Sequence, residues 1–313
     1  MRLILEYGFP TRGRSQTARS FRLRVAPFAP LALLLIASPV YAQDAPPADP
    51  LSQSPDAPAV PTVFDGDYLT VGAGAAYGPG YEGSDSYVLF PVIGLQGSLG
   101  GLTISPRPAG LALDVVRDLP DSKVSFAFGP VARARFDRNR QVRDPVVFAL
   151  GRRGIAVEVG ANAGVNISKL TNPYDSLSIG VDVRWDVANV HKGTVIQPTV
   201  SYLTPLSKAF AAVLSLTAEH VDGNYARYYF DVTPSGSAAT GLPVYTAHNG
   251  WKSAGLSLLT FYDLDHNLAN GGFAVVGGVS YSRMLGNIAR SPIISVRGAK
   301  AQWLMGAGVA YTF

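Results

Sequence analysis

Residues able to do chemistry are sparse in this chain, and their spacing excludes more than it offers. The four histidines, His191, His220, His248 and His266, show no i,i+2 or i,i+4 pairing, the spacings that bring two metal ligands to one face of a strand or helix. There is no cysteine, so thiolate metal sites, thiol redox chemistry and disulfides are excluded. His220-Val221-Asp222 offers two members of a hydrolase triad, but no serine in a nucleophile context accompanies them. Gly72-Ala73-Gly74 falls short of a GxGxxG fingerprint and lies in strand-like sequence. The expectation is a protein that is not an enzyme and uses no cofactor or metal. What remains is a set of ionisable groups on the inward face of the strands: Arg133 and Arg135; Asp182, Arg184 and Asp186; and Asp114, Glu158 and Glu219. Charges at i,i+2 share one face of a strand, so their chemistry is that of an ion-paired or water-lined interior.

The elements that carry these charges alternate cleanly. Ile155, Val157, Val159, Ala161, Ala163, Val165 and Ile167 interleave with Glu158, Gly160, Asn162, Gly164, Asn166 and Ser168. Leu177, Ile179, Val181, Val183, Trp185 and Val187 interleave with Ser178, Gly180, Asp182, Arg184 and Asp186. Period two sustained this long is a strand with one apolar and one polar face. Strands of soluble sandwiches average ~5–6 residues, whereas ~9–11 tilted residues cross a bilayer. The polar face is also too small-sided to be a core, so the apolar face must meet lipid. A helical span is ruled out differently. The longest uncharged stretch, Ser86 to Pro106, contains Pro91, Gly94, Gly97, Gly100 and Gly101, which break a continuous helix.

Reading the whole body this way predicts strands over 66–77, 86–96, 100–105, 110–117, 123–136, 155–168, 176–187, 194–205, 209–221, 251–263, 272–284 and 299–313. The fold expected is an all-β, antiparallel up-and-down transmembrane β-barrel of about twelve strands; because the third and fourth are short, ten with an irregular hairpin is the alternative. The long gaps, 137–154, 222–250 and 285–298, are all odd-numbered connections and so fall at one end. Outer-membrane barrels have long external loops and short periplasmic turns, which puts both ends of the barrel sequence in the periplasm. The 222–250 segment is longer than a connector needs and reads equally as a functional loop or as a plug.

Composition agrees. Charged residues make up 15% of the chain, against roughly 25% in ordinary soluble domains. Residues 1–42 hold six Arg and one Glu, while 43–313 carry 20 basic and 21 acidic groups. The basic balance therefore belongs to the N-terminal segment, and no nucleic-acid partner is expected. Residues 1–42 read as a signal peptide, with Arg19, Arg22 and Arg24 before an apolar run and Val40-Tyr41-Ala42 as a cleavage site. Residues 43–64 contain six prolines and read as a periplasmic tether, leaving 65–313 as the barrel. In the last strand Trp303, Met305, Ala307, Val309, Tyr311 and Phe313 share one face, with aromatics at both ends as interfacial girdles require. Tyr311 and Phe313 resemble the assembly signal of outer-membrane proteins, which implies lipid and the outer-membrane assembly machinery as partners.

Several motifs carry a family resemblance. Val71-Gly72-Ala73-Gly74-Ala75-Ala76-Tyr77 followed by Pro79-Gly80-Tyr81-Glu82-Gly83-Ser84-Asp85 resembles the opening of the MipA/OmpV family, which more often has Asp where this chain has Gly80. So does the stretch with Gly223-Asn224-Tyr225, Tyr229-Phe230-Asp231-Val232-Thr233-Pro234 and Gly241-Leu242-Pro243-Val244-Tyr245, and then Leu285-Gly286-Asn287 with Ser291-Pro292-Ile293. The resemblance implies a barrel in the outer membrane of a Gram-negative bacterium. For function it implies a scaffold linking a lytic transglycosylase to a bifunctional penicillin-binding protein, murein synthase and hydrolase proteins being the partners. Other members are described as osmoregulated proteins, surface adhesins or antigens. Against the scaffold, the charged interior raises the alternative of a porin-like narrow channel for small solutes.

Overall fold

The computed structural model describes residues 54–55, 60–117, 122–139 and 142–313. The signal-peptide segment and most of the tether lie outside the described residues. Twelve strands follow one another: β1 Tyr68–Pro79, β2 Tyr87–Leu99, β3 Leu102–Arg107, β4 Gly110–Asp114, β5 Val124–Arg135, β6 Ala156–Ser168, β7 Ser176–Asp186, β8 Thr194–Pro205, β9 Phe210–Val221, β10 Gly250–Asp263, β11 Gly272–Met284 and β12 Ala301–Thr312. Each pairs antiparallel with its sequence neighbour, and β12 closes on β1 from Thr70↔Thr312 to Tyr77↔Met305. Closure satisfies backbone groups that have no water to bond in a bilayer. The twelve-strand reading is the one realised.

The alternation works as expected. On β6, Glu158 is fully buried while its neighbours Val157 and Val159 are exposed on the outer wall. Phe126, Phe128, Leu214, Leu216, Met305 and Val309 continue that apolar outer face round the barrel. An apolar belt this continuous has only one low-energy surrounding, hydrocarbon. Aromatic pairs mark its two rims. Tyr281 and Trp303 meet at 4.9 Å with their rings tilted near one end, and Phe273 and Tyr311 meet edge-on at 4.6 Å near the other.

The long connections, β5–β6, β9–β10 and β11–β12, gather at one end and carry four short helices: α1 Pro145–Ala149, α2 Gly223–Phe230, α3 Pro234–Thr240 and α4 Pro292–Ser295. The other end has tight turns. There Val60, at the end of the tether, donates its N–H to the Tyr174 hydroxyl in the β6–β7 turn at 2.9 Å.

One part of the wall is thin. β2 meets β3 only over Gly97–Leu99, whereas it pairs with β1 along Tyr87–Ser98. The β1–β2 ladder ends in a Gly80 N–H bond to the Ser86 carbonyl, which fixes the phase. Even-numbered β2 residues bond toward β1, and the Pro91 nitrogen faces away from it, where no donor is needed. Ile93 is 90% exposed, far more than an outer residue flanked by strands on both sides.

Candidate functional site

The loop-rich end is closed by its own loops. Tyr225, Ala226, Tyr229 and Phe230 of α2 pack on Val195, Val221, Met284, Ile288 and Ile294, all buried. A second cluster joins Tyr81, Val147, Val232, Leu242 and Ile293. The local sequence explains why these segments are helical and short. Asp222 caps α2 by accepting the Tyr225 N–H at 2.9 Å. Thr233 caps α3 from ahead of Pro234 at its first position. Gly241 ends α3 in the left-handed region at φ 72°, which glycine adopts without strain. Leu242 then turns inward while Pro243 stays exposed. Tyr245 pairs with Val232 and donates its hydroxyl to the Asn287 carbonyl at 2.6 Å. The 222–250 segment is thus a plug built into the mouth.

Beneath it lies a network of charges. Arg135 donates to Glu158 at 2.6 Å, to Glu82 at 2.7 Å and to Glu219 at 2.9 Å. Lys252 reaches Glu82 Oε1 at 2.6 Å and Glu219 Oε1 at 2.7 Å. The Tyr225 hydroxyl donates to Glu82 Oε2 at 2.9 Å, and its ring lies under the Arg135 guanidinium at 4.9 Å. On the far wall Arg184 bonds Glu158 and Asp182, each at 3.1 Å, and Gln197 at 2.8 Å. Asp182 also takes a two-pronged bond from Arg107 at 2.7 and 3.1 Å. His191 accepts the Gly193 N–H through Nδ1, so its Nε2 carries the proton and stands 3.3 Å from Glu158.

Glu82 is the hub that joins plug to wall. It comes from the β1–β2 loop, its N–H donates to Asp137 at 2.7 Å, and the next residue, Gly83, donates to Gln302 at 3.1 Å. Gly83 has φ 87°, and a β-carbon there would collide with Ile294, so only glycine fits. Ser84 bonds Ser86 and accepts from Gln302 through its carbonyl. Burial alone would raise the Glu82 carboxyl, but Lys252 and Arg135 outweigh it and hold it below the usual range. Asp137 goes the other way. Burial, and then the Glu82 charge, push it up to about 6. Burial also raises the Tyr225 phenol well above its ordinary value.

Of the charges the sequence placed inside, Arg135, Glu158, Asp182, Arg184 and Glu219 meet in this network, with Arg133 at its edge, 3.8 Å from Glu219. Asp186 does not flank Arg184 as expected. It ends β7, and its carboxylate accepts the N–H groups of Ala188, His191 and Lys192 in the following turn. Backbone donors left bare by a tight turn win it over a distant guanidinium. Asp114 likewise accepts from the Val116 and Phe128 backbone. Tyr81, Glu82, Gly83, Ser84, Tyr225, Leu242 and Tyr245 belong to the plug and its seat, and Gly223 opens α2.

Sequence reading missed Lys252, Arg107 and Asp137. Lys252 is hidden by a register shift between Trp251 and Ser253. This bulge turns two consecutive side chains inward, where strict alternation would send Lys252 to lipid. A lysine among lipid-facing positions is costly, and that was the available signal.

Fold and site together define a plugged transmembrane β-barrel. Residues 71–313 match the family model described as MltA-interacting protein MipA. The chain belongs to that family. No curated protein matches it. Among solved structures it is similar to the Ralstonia pickettii toluene transporter TbuX (11% identity, TM-score 0.34, 79% of this chain and 89% of that one). It is also similar to the Pseudomonas putida toluene transporter TodX (10%, 0.33, 84% and 92%). At these scores the likeness carries no functional argument.

Proposed function

We propose that this chain is a non-enzymatic scaffold in the outer membrane of a Gram-negative bacterium, with the loop-rich end outside and the tight turns in the periplasm. It would dock murein-remodelling enzymes, a lytic transglycosylase first among them. The observation that carries the reading is the sealed mouth. With Tyr225, Glu82, Lys252 and Arg135 joined beneath a packed apolar cap, this reading takes the resting barrel as closed to bulk flow and leaves its surfaces to carry function. The family's own description names an interaction with MltA. Val60, within the Pro-rich part of the sequence, bonds Tyr174 at the tight-turn end, the end this reading places toward a periplasmic partner.

The test is a pull-down from periplasmic extract on immobilised full-length barrel, beside a variant lacking residues 43–59. Retention of a lytic transglycosylase by the first and its loss from the second supports docking through the tether. Retention by neither overturns the scaffold. A second reading, a narrow channel for small solutes, is favoured by one observation, a cavity of about 300 Å³ inside the barrel, beside Arg133 and Glu219.

A further inference from the structure

That cavity is lined by the most loosely paired of the interior cations, Arg133. Among the described residues, the cationic side chains Arg107, Arg133, Arg135, Arg184 and Lys252 face the carboxylates of Glu82, Glu158, Asp182 and Glu219 across the barrel interior, with the Asp137 carboxyl beside Glu82. Four of the cations make a carboxylate contact of 3.1 Å or less. Arg133 is the exception. Its nearest carboxylate oxygen, Glu219 Oε2, is 3.8 Å away, and its Nε has no hydrogen-bond partner. A guanidinium largely held out of bulk water with its Nε–H unfilled is a site waiting for an acceptor.

We propose that the cavity beside Arg133 binds a small hydroxylated monocarboxylate. The guanidinium fork matches a carboxylate with two parallel N–H···O bonds. The wall opposite supplies hydroxyls from Thr217, Ser253, Ser257, Ser280 and Ser282, each both donor and acceptor. That lining suits a ligand with several hydroxyl groups. The volume, about 300 Å³, is at the lower end of ligand sites, which limits the ligand to a small molecule. Charge number is limited as well, because Arg133 attracts one negative charge and Glu219 at the cavity wall repels a second. The bulge at Lys252 and Ser253 is part of the site, because it leaves Ser253 in the cavity while Lys252 ties down Glu219.

Isothermal titration of the folded, detergent-solubilised full-length protein with gluconate tests this, with glucose and citrate as the neutral and multiply charged comparisons. The expected result is saturable gluconate binding at one site, at least tenfold tighter than either comparison. Arg133→Gln should lose at least tenfold in gluconate affinity, and Arg133→Lys should recover part of it. Heat-modifiable migration of each variant establishes that the barrel is folded. No gluconate binding to wild type overturns the proposal. So does equal binding of glucose, or gluconate affinity unchanged in a folded Arg133→Gln barrel.

Discussion

The hydroxyl of Tyr225 and the carboxylate of Glu82, 143 residues apart in sequence, meet at 2.9 Å. Through this bond the plug helix α2 is fastened to the first loop, and through Glu82 to the β5 and β10 walls. Tyr225→Phe keeps the ring under Arg135 but removes the donor. Losing a hydrogen bond to a charged group costs ~1.5–3 kcal/mol. We expect a lower midpoint in thermal unfolding and intermittent opening in planar-bilayer recordings. Conductance and midpoint both equal to wild type would show that the bond does not hold the plug.

Glu158 joins the two halves of the network, because Arg135 and Arg184 both bond it and its side chain is fully buried. Glu158→Gln leaves two buried guanidinium groups short of a carboxylate. The expected loss is ~3–5 kcal/mol, read as a shift of the urea midpoint of the detergent-solubilised barrel. A shift under ~1 kcal/mol would mean that lumen water replaces the bond readily.

Asp137 gives the plug a pH dependence. Its carboxyl is raised to about 6 from 3.8, so the folded state binds its proton more tightly than the unfolded chain does. Stability from this group therefore rises as pH falls through about 6. Glu82 acts in the opposite sense. Its carboxyl is lowered from 4.5, and its contribution is lost at more acid pH. The thermal midpoint should be highest between about 4.5 and 6. Asp137→Asn should remove the gain between pH 7 and pH 5; an unchanged profile in that variant would assign the gain elsewhere. Glu82, Arg138 and Arg135 are the charges that face Asp137.

Gly83 is the tightest fit between the first loop and α4. Gly83→Ala adds a β-carbon against Ile294 at φ 87° and should cost at least ~1 kcal/mol. The loosened cap should become sensitive to protease at exposed Arg227, while the strands stay protected. Cleavage no faster than in wild type would show that the loop shifts to make room.

Most of the wall was legible because lipid imposes a rule on every second residue. Ile155 through Ser168 and Leu177 through Asp186 reveal their strands by alternation alone. The placement of Glu158 and Arg184 inside follows from the same rule. Partner choice was not legible, because it depends on height along the barrel and on which backbone donors lie nearby. Asp186 is taken by turn N–H groups, and Arg107 reaches from a hairpin tip to Asp182 on β7. The hub itself, Glu82, stood out only as part of a family motif, since loops carry no period. Lys252 was concealed by a single bulge, which shifts the phase of a strand without altering its composition.

The narrow junction of β2 with β3 has a mechanical consequence. A cylinder whose staves are joined along their full length fails everywhere at once, but this one is tacked only at Gly97–Leu99 along one line. Pro91 keeps part of that line from ever being stitched, since its nitrogen has nothing to give a neighbouring strand. Pulled by its termini, the barrel should tear there first and peel as a ribbon, with the β5-to-β12 sheet surviving longest.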